Sequence, residues 1–328
     1  MKKTIDVLAV GNAIVDVFAT CDDVFLDARS IGKGMMNLVD AERSAELYAD
    51  LGKSEKMSGG SAANTAVGIA AIGGDAAFSG RVRDDPLGRV FCDDIKNASV
   101  VFNNPLHVDG SPTASSIIFI TPDAIRSMNT YLGACIEFQP EDILRKDAAL
   151  AKVIYLEGYL FDAPAGPAIF DRAAALATEF GCKISLSLSD PWCAERHRAA
   201  LIDFVKNHVD ILFSNEQEAS SLCEAPVEEA TSTLLACVRE VIVTHGAKGA
   251  FVGNSAEQIE VAARPLGKVI DTTGAGDLFA AGYLYGRTNG HSLRDSAMIA
   301  SIVAGEIISH LGARPEVNLR ALVAQKFS

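Results

Sequence analysis

The chain has 328 residues, 49% of them hydrophobic, which is enough to bury a large core in one α/β domain or in two smaller ones. A net charge of -13 without a cluster of Lys and Arg argues against a nucleic-acid partner and requires that backbone N–H groups or a metal hold an anionic ligand. Seven cysteines without a Cys-x-x-Cys pair, and no apolar run of membrane-spanning length, favour a cytoplasmic location without membrane contact.

The first predicted element is a strand at Ile5–Val10, a short apolar run that ends at Gly11. Because Asp6 and Asp16 interrupt the apolar stretch, we interpret it as a buried strand rather than a signal peptide. The other elements predicted in the first half are helices at Asp40–Leu51, Ser61–Ile72 and Pro86–Asn97, a strand at Ala76–Ser79, and a hairpin of Ser115–Ile120 and Arg126–Leu132. Those predicted in the second half are strands at Val153–Leu156, Lys183–Leu188, Ile211–Ser214, Val241–Thr244 and Ala250–Gly253, and helices at Ala168–Phe180, Glu195–His208, Glu216–Cys223, Ala275–Tyr285 and Leu293–Leu311.

Strands that alternate with helices of this length predict an α/β fold with a mainly parallel central sheet and helices on both faces. Two segments, about 16–56 and 107–133, break the alternation because they carry extra strand-like stretches and little crossover helix. We expect these segments to form a small β lid over one edge of a single domain that spans 1–328.

A glycine-rich turn, Gly274-Ala275-Gly276, opens one of the predicted helices. Glycines let a phosphate oxygen approach the backbone, and the first turn of a helix presents free N–H groups at the positive end of its dipole. The turn is therefore a candidate anion hole for a phosphoryl group in transfer. Asp277 follows it and is a candidate general base, although an acid at this position can also simply complement the helix dipole.

Two separated motifs resemble the signatures of the ribokinase family of carbohydrate kinases, the phosphofructokinase-B type. Asp271–Asp277 resembles the C-terminal signature, and the stretch from Gly59 to Asn64, followed by Gly73-Gly74, resembles the second signature. The two occur in the family's order, and the resemblance covers nearly the whole chain. It implies a ribokinase-like fold and ATP-dependent phosphorylation of a hydroxymethyl group, with Asp277 as the base and Gly274–Gly276 as the anion hole.

The resemblance also implies where the acceptor binds. Asp16 would accept hydrogen bonds from two neighbouring hydroxyls of a ribose, and Gly59 and Gly60 would let a sugar lie against the backbone. The implied acceptor-binding residues are Asn12, Asp16, Gly59, Gly60, Ser61 and Asn64. Met36 and Leu160 are implied to contact the nucleobase of a nucleoside acceptor.

Two further motifs are implied to hold the nucleotide and its metal. Asn215 and Glu218 resemble the family's Asn-x-x-Glu element, which organises Mg2+ and phosphates through water, although acids also commonly begin a helix. The implied nucleotide-binding residues are Asn215, Glu218, Thr244, Gly246, Gly249 and Thr272. The implied cofactors are ATP and Mg2+, and a K+ ion near the anion hole is left open because relatives often use one.

Within the family, the chain most resembles the adenosine kinases. The helix at Asp40–Leu51 lies in the lid, where simpler sugar kinases usually lack one, and Arg126 resembles the arginine that reaches the transferred phosphate. Gly158–Phe161 resembles the segment that packs on the purine, although these residues could equally pack in the core. The resemblance implies phosphorylation of the 5'-hydroxyl of a nucleoside, adenosine above others, to give AMP and ADP.

Other acceptors stay open, namely inosine, guanosine, or a free sugar such as ribose or fructose. A sugar phosphate would need Lys or Arg near Asn12, Asp16 and Asn64, and none stands in those motifs. A dinucleotide-dependent oxidoreductase is disfavoured because Gly-x-Gly-x-x-Gly does not follow the first strand. Lid sheets of the family sometimes pair, so both a monomer and a homodimer are open.

Overall fold

The computed structural model describes residues 2–123 and 125–327. Its strands are β1 (Ile5–Val10), β2 (Ile14–Thr20), β3 (Met36–Leu38), β4 (Glu55–Gly59), β5 (Ala76–Ser79), β6 (Val101–Phe102), β7 (Ala114–Ile120), β8 (Arg126–Tyr131), β9 (Ala151–Glu157), β10 (Lys183–Ser187), β11 (Ile211–Asn215), β12 (Glu240–Thr244), β13 (Ala250–Gly253) and β14 (Gln258–Val261). Its α-helices are α1 (Asp23–Ala28), α2 (Ala41–Ala49), α3 (Ser61–Ile72), α4 (Pro86–Asn97), α5 (Arg145–Leu150), α6 (Gly166–Phe180), α7 (Pro191–Arg196), α8 (Arg198–His208), α9 (Glu216–Cys223), α10 (Val227–Leu235), α11 (Ala275–Thr288), α12 (Leu293–Ile307) and α13 (Leu319–Phe327).

The main sheet has nine strands in the described part of the chain, in the order β14-β13-β12-β11-β10-β9-β1-β5-β6. The strands from β12 to β6 run parallel, and β13 and β14 add an antiparallel edge. The chain leaves β1 toward β5 and β6 and later returns to the other side of β1 with β9. The boundary between β1 and β9 is therefore a switch point, where α/β sheets bind ligands at the carboxyl ends of their strands.

Helices cover both faces of this sheet. One buried cluster joins the sheet to α3, α4, α11 and α12, and a second cluster on the opposite face joins it to α5, α6, α8, α9 and α10. The predicted α/β fold, with a mainly parallel sheet and helices on both faces, is confirmed. No helix in residues 2–123 and 125–327 has the length and apolar character needed to cross a bilayer.

Most predicted elements lie where the sequence pattern put them. Elements with identical bounds are β1, α3, β5, α4, α9 and β13. Glu195–His208, predicted to be mostly helix, is helical except at His197, where two helices, α7 and α8, meet. Asp190 caps α7 by accepting from the N–H of Trp192 at 2.8 Å, and Pro191 begins that helix, so it starts earlier than predicted.

A second sheet has five strands in the order β3-β8-β7-β2-β4. These strands come mainly from the two segments that break the strand–helix alternation. One face packs against α1 and α2, where Leu26 and Leu47 are buried with Ile117 and Phe119. The Phe119 ring contacts Phe25 of α1 at a centroid distance of 4.9 Å, which joins the helical layer to the sheet.

Replacement of Phe119 should loosen this small core. We expect Phe119→Ala to lower the free energy of unfolding by about 3–5 kcal/mol, because a buried ring leaves a cavity behind. Urea denaturation measures the change. Val24→Ala, at an exposed position of α1, is the control and should change stability by less than about 0.5 kcal/mol. Equal effects of the two substitutions would contradict the packing described.

Candidate active site

Asp277 lies in the first turn of α11, at the centre of a polar cluster beside the switch point. One carboxylate oxygen accepts from the hydroxyl of Ser61 at 2.6 Å, and the other accepts from the side-chain amide of Asn64 at 2.9 Å. Burial raises the pKa of Asp277, while these hydrogen bonds and the charge of Arg314 oppose the rise. The carboxylate is fixed in orientation and is more basic than an exposed aspartate.

The turn before Asp277 has the geometry of an anion hole. Gly274 is the N-cap of α11 with φ of 77°, a left-handed conformation that glycine adopts without strain. The N–H of Ala275 donates to the carbonyl of Thr272 at 3.1 Å, so this amide is not free for a ligand. In the described residues no protein acceptor pairs with the N–H groups of Gly274 and Gly276, which are left to receive an anion.

The structure gives Ser61 and Asn64 a protein partner that the sequence did not indicate. Both are predicted to bind the acceptor, and they belong to the first turn of α3 and donate to Asp277. Because α3 and α11 meet at their N-terminal turns, polar side chains of one reach the first turn of the other. The residues of the two signature motifs are therefore direct hydrogen-bond partners.

Glu157, the last residue of β9, is a buried acid that the sequence pattern did not single out. Its carboxylate accepts from the backbone N–H of Asn12 at 2.7 Å and of Ala62 at 2.8 Å. Burial raises its pKa to about 7. It ties the loop after β1 to the N-terminus of α3. An acid at the carboxyl end of a strand, followed by glycine, was the available signal.

Asp16 points from β2 toward the same cluster. A Cβ added to Gly59 would lie 2.4 Å from one oxygen of Asp16, so only glycine leaves room for this carboxylate. Burial raises the pKa of Asp16 to about 6 against the opposing charges of Arg314 and Arg126. Gly60 has φ of 100°, and a Cβ there would lie 2.1 Å from the carbonyl oxygen of Asn12.

Arg314, which the sequence analysis missed, lies between these acids. Its guanidinium donates to Asn64 Oδ1 at 2.8 Å and to the hydroxyl of Ser58 at 2.8 Å, and it also bonds the carbonyl of Ser58. A cation therefore does stand beside the predicted acceptor site, contrary to the argument used against a sugar-phosphate acceptor. Three of its five N–H donors are engaged by Asn64 and Ser58.

Arg126 is the first residue of β8 in the second sheet, and it lies beside the C-terminal signature. One of its nitrogens is 2.7 Å from a carboxylate oxygen of Asp271, and its guanidinium lies over the ring of Phe18. Asp271 also accepts from the N–H groups of Thr273 and Gly312, both at 3.0 Å. The predicted phosphate-contacting arginine is thus next to the anion hole, with its charge paired to the signature aspartate.

Strand register shows which side chains share the face of the second sheet that carries Asp16. Asp16 lies in a row with Ser116 and Thr130 on neighbouring strands. The adjacent row along the strands is apolar, and we call it the apolar row. It consists of Phe18, Ile118, Met128 and Met36. Met36, which is predicted to contact the nucleobase, therefore lies on the same face as Asp16.

Leu160 is placed differently from the prediction. It has no exposed surface and packs in the core cluster under α6, so it does not line the acceptor side. Its neighbour Tyr159 is partly exposed, and its hydroxyl donates to the carbonyl of Ser189 at 3.1 Å. The short helical turn after β9 thus buries Leu160 and leaves Tyr159 partly exposed.

A cavity of about 480 Å3 lies on the other side of the signature turn, between the β12–β13 loop and α12. It brings together most of the predicted nucleotide-binding residues. Its walls also include apolar residues that the sequence analysis did not name, among them Phe279 and Ile308. The predicted residues that line it are Thr244, Gly246, Gly249, Thr272, Ala275 and Gly276.

Asn215 and Glu218 form a capping box at the start of α9. The N–H of Asn215 donates to Glu218 at 2.9 Å, and the N–H of Glu218 donates back to Asn215 at 2.8 Å. The pKa of Glu218 is raised to about 7, chiefly by burial and to a smaller degree by the negative charges of Asp190 and Asp277. The carboxylate of Glu218 and the amide oxygen of Asn215 are of the donor type that Mg2+ prefers, and such a site can hold the ion through water.

Comparison with known proteins identifies the family. The model of the pfkB family carbohydrate kinases matches residues 27–319. The structure of the adenosine kinase from Sinorhizobium meliloti is 43% identical, with a TM-score of 0.89, and covers 98% of this chain and 99% of its own. The structure of a probable sugar kinase from Rhizobium etli CFN 42 is also 43% identical, with a TM-score of 0.90 and coverage of 99% of both chains.

The curated relatives that match at 24–27% identity include adenosine kinases, 5-dehydro-2-deoxygluconokinases and an uncharacterized sugar kinase of Archaeoglobus fulgidus. Adenosine kinase of Saccharomyces cerevisiae is 27% identical over 94% of this chain and 96% of its own length. A 5-dehydro-2-deoxygluconokinase of Geobacillus thermodenitrificans is 24% identical over 94% of this chain and 88% of its own. The chain therefore belongs to the pfkB family of carbohydrate kinases and is a phosphotransferase that acts on an alcohol group of a nucleoside or sugar.

Proposed function

We propose that this kinase phosphorylates the 5'-hydroxyl of a nucleoside, most readily adenosine, with MgATP as donor. The observation that carries the proposal is the apolar row beside Asp16. Two rows on one face of a sheet are about 7 Å apart, which is comparable to the offset between a ribose and its base. A nucleoside has the same arrangement, with a polar sugar next to a flat apolar ring.

A free sugar fits this face less well. Hydroxyl groups that are buried against apolar side chains without hydrogen-bond partners cost free energy, whereas an aromatic base gains from contact with Met and Phe. Met36 is 56% exposed, so its side chain is available for such contact. Relatives that bear the name adenosine kinase support the same choice, and relatives that bear the names of sugar kinases make free sugars the second candidate.

The chemistry follows from the cluster at the switch point. Asp277 accepts the proton of the 5'-hydroxyl as the oxygen attacks the γ-phosphorus of ATP, and the bond to the β–γ bridging oxygen breaks to release ADP. The free N–H groups of Gly274 and Gly276 stabilise the charge on the phosphoryl oxygens. Asp16 holds the ribose diol, which positions the hydroxyl at Asp277.

Magnesium would be held by Glu218, Asp190 and Asn215 through water, where it would neutralise charge on the phosphates. The nucleotide would occupy the cavity lined by Thr244, Gly249 and Thr272. In this proposal the five-stranded sheet is the lid of a single domain, and it closes over the acceptor to exclude water. Its outer face is covered by α1 and α2, which favours a monomer.

The acceptor is tested by steady-state phosphorylation of adenosine, inosine, guanosine, ribose, fructose and 5-dehydro-2-deoxygluconate. We expect kcat/KM for adenosine to exceed that for the free sugars by on the order of a hundredfold, because only a nucleoside contacts the apolar row. Turnover of a free sugar without turnover of any nucleoside would contradict the proposal.

Asp277→Asn should abolish turnover while ATP still binds. We expect kcat to fall on the order of a thousandfold, because the amide cannot accept the proton. Isothermal calorimetry with ATP measures binding. Asp295→Asn, at the equivalent first-turn position of α12, is the control and should retain activity. An active Asp277→Asn variant would mean that Asp277 only complements the helix dipole.

Gly59→Ala should weaken acceptor binding selectively. The new methyl group would overlap the carboxylate of Asp16, so we expect KM for the acceptor to rise about tenfold while KM for ATP is unchanged. Gly52→Ala is the matched control, because no heavy atom lies within 4 Å of a Cβ at that position. Equal changes in both KM values would show a global distortion instead.

A further inference from the structure

The loop after α12 is held rigidly against the signature turn. The N–H of Gly312 donates to Asp271 at 3.0 Å, and the N–H of Glu316 donates at 3.0 Å to Glu306, a buried acid of α12. Ala313 packs against Gly274, since a Cβ added to that glycine would lie 2.7 Å from the Ala313 methyl group. The loop between these anchors therefore presents Arg314 in a fixed position.

The contacts of Arg314 decide how Asn64 is oriented. A guanidinium can only donate hydrogen bonds, so the side-chain oxygen of Asn64 faces Arg314. The amide nitrogen of Asn64 then faces Asp277, to which it donates at 2.9 Å. Without Arg314, the amide could turn and place its oxygen against the carboxylate, which would remove a donor and add repulsion.

Arg314 also supplies positive charge to a strongly acidic site. It lowers the pKa of both Asp277 and Asp16 against the effect of burial. Behind it, Ser58 donates from its N–H at 2.8 Å and its hydroxyl at 2.6 Å to Asp94 of α4. A series of hydrogen bonds thus connects Asp94, Ser58, Arg314 and Asn64 to the carboxylate of Asp277.

We propose that Arg314 is the positioning residue of the active site, which fixes the amide of Asn64 toward Asp277 and serves as the counter-ion that Asp277 and Asp16 share. It acts through Asn64 and through its charge, because the hydrogen bonds that it makes in the described residues go to Asn64 and Ser58. The inference rests on the proposed role of Asp277 as base, and it adds a residue from outside both signature motifs.

The effect of pH gives this role a distinctive signature. The turnover of a base-catalysed reaction rises with pH as the base ionises, and Arg314 favours the ionised form. Loss of Arg314 therefore raises the pKa of Asp277 and moves the acid limb of the profile to higher pH. The groups around Asp277 that titrate or carry charge are Asp16, Tyr155, Glu157, Tyr159, Glu218 and Arg314.

The test compares Arg314→Met with Arg314→Lys over pH 5 to 9. For Arg314→Met we expect the acid limb of kcat/KM to move up by about 1 pH unit, as for loss of a neighbouring opposite charge. For Arg314→Lys the acid limb of kcat/KM should stay at nearly the same pH as in the wild type. Its kcat should still fall about threefold to tenfold, because an ammonium cannot bond Asn64 and Ser58 in the geometry of the guanidinium fork.

Arg287→Met is the matched control. Arg287 forms a buried ion pair with Glu240 at the far end of the same helix as Asp277, so its loss should lower the melting temperature without moving the acid limb. An unmoved limb in folded Arg314→Met, or an equal shift in Arg287→Met, would overturn the proposal. If Arg314→Met does not fold, a wild-type kcat in Arg314→Lys would overturn it.

A second readout does not require turnover. The carboxyl carbon of Asp277 is followed by 13C NMR as a function of pH, with Asp277→Asn used to assign the signal. The midpoint should be higher in Arg314→Met than in the wild type, and equal midpoints would refute the counter-ion role. A wild-type protein that phosphorylates none of the acceptors refutes the proposed function instead, and leaves this comparison intact.

Discussion

The hydrogen bonds that join α3 to Asp277 are the constraint on which the rest of the site depends. Two helices that are more than 200 residues apart in the chain must bring their first turns into contact. Gly68 makes the approach possible, because a Cβ there would lie 2.6 Å from Leu278 and 2.7 Å from Ala281. The small residues of α3 are therefore required by packing as well as by the helix they form. The contact fixes the orientation of the base.

The same contact concentrates acids in a region that excludes water. Asp16, Glu157 and Glu218 all have raised pKa values for the same primary reason, burial, and Asp277 adds its charge to each. An anionic nucleotide would be repelled by this cluster unless positive groups face it. Backbone N–H groups at the start of α11 supply part of that field, and Arg314 supplies a full charge. The net charge of -13 indicated that an anionic ligand would require local positive groups, but it did not indicate that Arg314 is one of them.

What could be predicted from the sequence was whatever is encoded locally. β1 is a continuous apolar run, and Gly274 precedes a helix with the required spacing, so both were found without a structure. Ser61 and Asn64 were assigned to the acceptor through the resemblance to the family. That both donate to Asp277 is revealed only by the packing of α3 on α11. Arg314 lies in a loop without regular spacing, so no local pattern could connect it to the base.

The residues on the acceptor side are distributed along the chain differently from those on the catalytic side. The proposed anion hole and the proposed base belong to one continuous turn, so a single sequence motif specifies them. The apolar row instead takes one residue from each of four strands, and Met36 joins it only because β3 pairs with β8. A shift of that pairing by one residue would turn Asn37 to the inner face in its place. Under the proposed function, the identity of the acceptor therefore depends on strand register and on side chains that are far apart in the chain.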